Sequence, residues 1–308
     1  MKKNVILLSL IFIPLAACSK IKTPTFEKFS NSVTYEYFLL TFEDYKFADY
    51  LKFEKSSKGK AYYGSEYSTS SYLVDVAINE TSGTSETEIN FQFDAANKRS
   101  TVKEKGESSF TGSGAESDEQ RVSKISTSIQ YQFDSALESY IYIDTKEKTF
   151  KKYDNTNITD NIIYLIDDEY LNFYTALKQY ESLTDEAKAQ YSFYADGNVL
   201  SLVNKVEDSR TTTNSETGEV VQTITSKVES LYQMEISDGK FYFRSKTVSD
   251  ITTSYADEYS GHLKDEANHS HETNYSSLEI NLGDLNIKAI DTSSYVSLDK
   301  DPAGGLLA

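Results

Sequence analysis

The chain has 308 residues, with 48 acidic side chains against 31 basic ones and a formal charge of −17. An excess of that sign repels the phosphates of nucleic acid and disfavours close contact between the protein body and anionic lipid; its ordinary consequence is solubility. Tyrosine (24) and phenylalanine (16) supply mass for a core, while three prolines are too few for a proline-rich stalk.

The first eighteen residues read as an address. Lys2 and Lys3 precede an almost wholly apolar run from Val5 to Ile13, which Pro14 closes. That run is shorter than the roughly 20 apolar residues needed to span a bilayer. A charged start, a short apolar core and the small residues Ala16 and Ala17 form the pattern of a secretory signal. Cys18, the sole cysteine, follows, so no intramolecular disulfide can form. Leu15-Ala16-Ala17-Cys18 resembles the lipobox of bacterial lipoproteins. The resemblance implies that residues 1–17 are a signal peptide, that Cys18 is acylated (palmitate is the usual kind of chain), and that 18–25 is a lipidated tether on the extracytoplasmic face of a membrane. Two or more acyl chains anchor stably, at about 0.8 kcal/mol per buried CH₂. Which membrane is used, including an outer membrane, stays open.

Beyond the tether, Phe26, Phe29, Val33, Tyr37 and Leu40 have helical spacing, and Pro24 fits a helix start, so a helix is expected over 26–50. Strand signals follow. Ala61-Tyr62-Tyr63 leads to a run from Tyr72 to Ile78, then a loop at Ser82-Gly83-Thr84 and an alternating run at 89–93. Residues 105–119, with Gly106, Gly112 and Gly114, read as a flexible loop. Val122–Phe133 alternates, and 140–143 with 149–153 form a hairpin around Lys146-Glu147. Over 158–188 the period becomes helical, with an apolar stripe through Ile162, Ile166, Phe173, Leu177 and Tyr180. Val199–Val206 pairs with Val220–Val228 across the 215–218 turn, Asp238-Gly239 makes a strong hairpin signal, and Ser277–Leu282 is a late strand. Residues 299–308 are expected to be a flexible tail.

The expected fold class is α+β, a predominantly antiparallel curved sheet of half-barrel type with covering helices near 26–50 and 158–188. The β-rich domain spans 26–298. Its layout suits either two similar halves, 26–155 and 156–298, or a single sheet with an inserted helical segment. Ser139–Tyr153, the helices at 158–188 and the Gln233–Phe243 hairpin resemble the layout of the lipoprotein carriers and related mycobacterial lipoproteins. That resemblance implies an incomplete barrel with a greasy cavity between sheet and helices. The tyrosine content departs from it.

Candidate chemistry is sparse. His269 and His271 would share one face of an extended segment and, with Glu266 or Glu272, could hold zinc or copper; a solvated loop is the plainer reading, so no metal is assigned. Asp154 to Asp160 is oxygen-rich but lacks the glycine and terminal glutamate of an EF-hand, and Asn157 or Thr159 serves better as a helix cap. No Gly-x-Ser-x-Gly elbow and no phosphate-cradling glycine loop occurs. The expectation is a non-enzymatic, membrane-anchored lipoprotein without cofactor, binding a lipid or other hydrophobic ligand and no nucleic acid. The alternative is a surface structural, adhesion or antigenic protein with a filled core.

Overall fold

The computed structural model describes residues 23–50, 55–74, 76–97, 99–114, 117–134, 139–144, 147–154, 173–174, 177–289 and 291–298. In chain order these form β1 (Ser32–Val33), α1 (Tyr35–Asp44), a 3₁₀ turn (Phe47–Tyr50), β2 (Ser57–Leu73), β3 (Val76–Asp94), β4 (Arg99–Gly114) and β5 (Ser117–Asp134). There follow β6 (Ser139–Asp144), β7 (Thr149–Asp154), a 3₁₀ turn (Tyr180–Ser182), α2 (Asp185–Lys188) and β8 (Tyr191–Asp196). The chain continues through β9 (Val199–Thr213), β10 (Val220–Ser237), β11 (Lys240–Tyr255), β12 (Glu266–Leu282) and β13 (Val296–Ser297).

Among the described residues all thirteen strands join one open sheet in the order β1-β8-β9-β10-β11-β12-β2-β3-β4-β5-β6-β7-β13, antiparallel except for β13 on β7. Two meanders, β2–β7 and β8–β12, meet where β12 pairs with β2 through seventeen residues. The strands are unusually long. β3 has 19 residues and β10 has 18, so at about 3.3 Å per residue they reach about 60 Å.

One end of this sheet is packed; the other is a bare single layer except at the tip of β10 and β11, where Val221 and Tyr255 are buried and the His262 ring stacks on Tyr255. At the packed end the inner face carries Ala61, Ile89, Phe91, Val102, Leu200, Leu202, Met234, Phe241, Phe243, Leu278 and Ile280. Against it lie Tyr35, Phe38 and Phe42 of α1, with Phe47, Phe173 and Leu177. Helix α1 begins where Thr34 caps it, its hydroxyl accepting from the Tyr37 N–H. Residues 35, 38 and 42 therefore face the sheet at spacings of three and four. The Phe47 ring meets Phe241 at 5.4 Å and Phe193 meets Phe38 at 5.2 Å, distances typical of favourable aromatic pairs.

The outer face of the same end is crossed by an extended strap, residues 23–31. Register places Tyr62, Ser277, Arg244, Gln233, Ser201 and Tyr194 in one row across six strands. The strap follows that row. Thr23 sits beside the Tyr62 hydroxyl, Glu27 pairs with Gln233, and the Phe29 ring meets Tyr194 at 4.7 Å. From Tyr62 to Gln233 is three inter-strand steps, about 14 Å, which four extended residues span. The buried Gln233 amide donates to the Glu27 carbonyl at 2.7 Å and to Ser201 Oγ at 3.0 Å, and its oxygen accepts the Glu27 N–H at 2.8 Å. The strap then turns at Asp196, whose carboxylate accepts the N–H groups of Ser30 and Asn31, and enters β1 and α1 on the other face.

Farther along, Glu66, Tyr67, Ser68 and Thr69 are exposed in succession. Consecutive strand residues face opposite sides, so both faces are open to water there. Ion pairs such as Lys205–Glu229 and Lys227–Glu207 lace this single layer at no more than about 1 kcal/mol each. Tyr67 lies against Gly83, where an added Cβ would strike its ring, and so covers backbone that glycine leaves bare. Among the described residues, β9 beyond Asn204 has only β10 beside it, and β5 up to Ser128 has only β4. Lys205, Glu207, Asp208 and Arg210 put charge along the β9 edge, which discourages edge-to-edge pairing.

Several expectations are corrected. The helix predicted over 26–50 is confined to Tyr35–Asp44 plus a 3₁₀ turn; 26–31 is the strap, and Tyr37 and Leu40, expected to face inward, are 55% and 64% exposed. The loop at 82–84 is the interior of β3, and of the loop at 105–119, 105–114 belongs to β4 and 117–119 to β5. The run from Tyr72 to Ile78 is interrupted by a turn at Val74, which takes φ 60°, a conformation that β-branched residues seldom adopt. His269 and His271 lie in β12, not in a loop. Of the 158–188 helix, the described part is helical at 173–174 and 177–179, then a 3₁₀ turn and α2; 155–172, and with them Asn157, Thr159 and Asp160, fall outside the described residues, as do 1–22 with Cys18 and 299–308.

Asp94 closes the β3–β4 turn and holds the chain that follows β12. It accepts from the Asn97 side chain and backbone and from the Ile287 N–H at 2.7, 3.0 and 2.9 Å. The Asn97 side chain first, then the backbone N–H groups, hold its carboxyl down at about 2. A folded-state value below the unfolded one contributes stability that is full above pH about 4 and is lost as pH falls toward 2. Asp94→Asn is predicted to flatten the fall in melting temperature across that window. Gln233→Ala, which strands the Glu27 backbone groups, is predicted to cost about 2 kcal/mol in chemical denaturation and to expose 23–31 to protease.

Candidate functional site

The most distinctive surface lies on the outer face beside the strap. Register sets two rows next to one another: Lys240, Asn281, Lys58, Gln92 and Thr101, then Tyr242, Glu279, Lys60, Asn90 and Lys103. Alternation places all ten on one side. All but Tyr242 border an open concavity of about 550 Å³, four lysines against one glutamate in a chain of strongly negative charge. Lys240 pairs with Glu279 at 2.8 Å, and that hydrogen bond raises its pKa. Among the described residues no acid lies in ion-pair range of Lys58, Lys60 or Lys103. Gly59 forms part of the floor; a Cβ there would strike the Phe91 ring and the Glu279 carbonyl.

One row farther along is Tyr62, 6% exposed, its hydroxyl donating to Glu86 at 3.2 Å. Burial pushes its phenol up to about 12, with the Glu86 charge adding to the rise. Arg244 in the same row forks onto Glu235 at 3.2 and 3.3 Å and lies over the Tyr242 ring. The strap, Tyr62 and the lysine concavity thus form one continuous outer surface.

Among the described residues, a gap of about 50 Å³ lies between sheet and helices, bordered by Phe173, Leu177, Tyr180, Tyr191, Leu202 and Tyr232. The Tyr35 hydroxyl reaches through to the Leu177 carbonyl at 3.0 Å, and its pKa is raised, chiefly by burial.

The two histidines share the outer face, as an extended segment requires, but each is engaged separately. His271 Nδ1 meets Asp250 at 2.6 Å and His269 Nδ1 meets Thr252 at 3.1 Å. Glu266 is turned to His262 at 2.7 Å, and that contact lowers its pKa against the opposing effect of burial; Glu272 accepts from Asn274. Among the described residues no group of three histidine, cysteine or acidic side chains converges on a metal position, and no helix is long and apolar enough to cross a membrane.

Sequence reasoning missed the lysine concavity. Lys58 and Lys60, two apart on a strand, were visible as a same-face pair; Lys103 and Lys240 join them only through register across four strand pairings.

No family model and no curated protein matches the chain. Among solved structures, lipovitellin aligns at a TM-score of 0.26 and 10% identity, over 79% of this chain and 27% of that one. The translocator domain of the autotransporter NalP from Neisseria meningitidis aligns at 0.18 and 10% over 79% and 95%, and OccK7 from Pseudomonas aeruginosa at 0.17 and 7% over 72% and 99%. The chain thus spans about a quarter of lipovitellin's length. Likenesses this weak assign neither fold nor function.

Any heat of zinc binding in calorimetry is predicted to be unchanged by His269→Ala/His271→Ala, and the double variant to stay within about 1 kcal/mol of the parent's stability, because both contacts are solvent-exposed.

Proposed function

We propose that the protein is a lipid-anchored, extracytoplasmic surface protein that works by display and is not an enzyme. Cys18 carries the acyl chains, the strap leads from that anchor onto the sheet, and the bare end presents its polar, tyrosine-bearing faces to a protein partner. Tyrosine suits such surfaces because its ring contributes area and its hydroxyl stays hydrated.

The observation that carries this reading over lipid carriage is the small size of the gap that the described residues leave under the helices. A small-molecule site encloses about 300–1,000 Å³, against about 50 Å³ between Phe173, Leu177 and the sheet. The curved half-barrel form belongs to the carrier reading and would need that space opened. The bare end offers an interaction protein what it needs: β2, β3, β9 and β10 extend past the core with both faces open along most of their length.

Native mass spectrometry of the full-length protein, extracted gently from its host's membranes, is predicted to give the mature chain with acyl groups on Cys18 and no further lipid. A stoichiometric second lipid that survives purification contradicts display and supports a carrier. Cys18→Ser is expected to abolish acylation and release the protein from the membrane.

A further inference from the structure

The lysine concavity and the start of the strap lie on the same face, one row apart. Thr23 is five residues from Cys18, so no more than about 18 Å of chain separates the anchor from the contact with Tyr62. We infer that Lys58, Lys60, Lys103 and Lys240 form a docking face for the anionic headgroups of the membrane that holds the anchor, fixing how the body stands on that membrane. This rests on acylation at Cys18.

Three observations converge on that occupant. Position is the first: the tether can deliver only nearby surface to the membrane, and this face is next to where it joins the sheet. Charge is the second. Three of the four lysines have no acidic partner among the described residues, and the intervening tether adds Lys20 and Lys22. A cluster of this size beside a lipid anchor is the kind that anionic leaflets attract. The third is the loss of net positive charge along the same face. The rows past the strap mix signs, Glu86 and Glu107 with Lys246 in the first and Glu66 and Glu229 with Lys205 and Lys124 in the second, so the leaflet draws the packed end down and gains little from the bare end. The net charge of −17 opposes adhesion of the whole body, which makes local placement of the lysines decisive.

The test uses the full-length acylated protein in vesicles of phosphatidylcholine, with or without about a third phosphatidylglycerol. Intact-mass analysis first reads Cys18. A membrane-impermeant amine-acetylating reagent then reports each lysine by peptide mapping. Lys58, Lys60 and Lys103 are expected to be protected several-fold in the anionic vesicles, and to lose that protection in neutral vesicles and at about 0.5 M salt. Lys205 and Lys227, exposed on the bare end, should react equally throughout. Concavity lysines as reactive as Lys205 in anionic vesicles, or protected equally in neutral ones, overturn the inference. If Cys18 proves unacylated, the anchoring reading fails by itself. Docking is then read from sedimentation with the same vesicles, where Lys58→Gln/Lys60→Gln/Lys103→Gln should lose roughly a hundredfold in affinity, about fivefold per lysine. No sedimentation of the parent protein with anionic vesicles overturns the docking face independently of the anchor.

Discussion

The hydrogen bonds between the Gln233 side chain and the Glu27 backbone decide how this sheet can exist. A sheet buried on one face alternates apolar and polar residues, but β9 opens with Val199, Leu200, Ser201, Leu202 and Val203, all buried. Burying both faces requires a third layer, and the protein makes one from nine residues of extended chain laid across the strands. Until Asn31, whose carbonyl accepts the Ala195 N–H of β8, such a strap runs across the strands and cannot pair with them as a neighbouring strand would, and backbone groups are costly to bury unpaired. The glutamine amide, carrying both a donor and an acceptor, satisfies one residue of the strap completely at its midpoint. With the strap in place, α1 enters the inner face from the β8 edge already directed at Phe193 and Phe241.

The length of the strands follows from what that packed end can support. Hydrophobic burial is concentrated at the packed end of the hairpins, and the remainder extends as a ladder of backbone hydrogen bonds, small ion pairs and tyrosine rings. Because both faces of that ladder are wet, its register draws little on burial. It is inherited from the packed end and from turns such as Asp238-Gly239, with Asp238 at φ 52° and Gly239 at φ 73°. Charged residues along the β9 edge keep the exposed layer from templating further strands.

How much of this was legible in the sequence follows from the same division. Where one face is buried, alternation is plain: 89–93 and the 233–243 hairpin were readable. The 199–206 run, buried on both faces at its start, was readable as an apolar stretch and was joined to the right strand in the wrong register, for it faces 228–235 while 206–213 faces 220–228. Where both faces are wet, serine, threonine and glycine erase the period, so β4 and the middle of β3 read as loops. The false helix at 26–33 has its own cause. A strap crossing strands at about 4.8 Å intervals meets a new strand every one to two residues, and its aromatic spacing imitates a helical stripe. The lysine concavity was illegible because its members come from β2, β4 and β11, and only the β12–β2 junction, which joins the two meanders, brings them together. The negative composition argued against contact with anionic lipid; the arrangement gathers positive charge on one small face beside the tether.

The central claim is structural: one end of the sheet is sealed on both faces by the strap and helices, and the other stands as a single layer. Hydrogen–deuterium exchange of the amides in β9 and β10 tests it directly. The account predicts that 199–204 and 231–236 exchange only with global unfolding, while 206–213 and the facing 220–228 exchange much faster through local opening. Uniform protection along both strands would contradict it, and would mean that something covers the bare end.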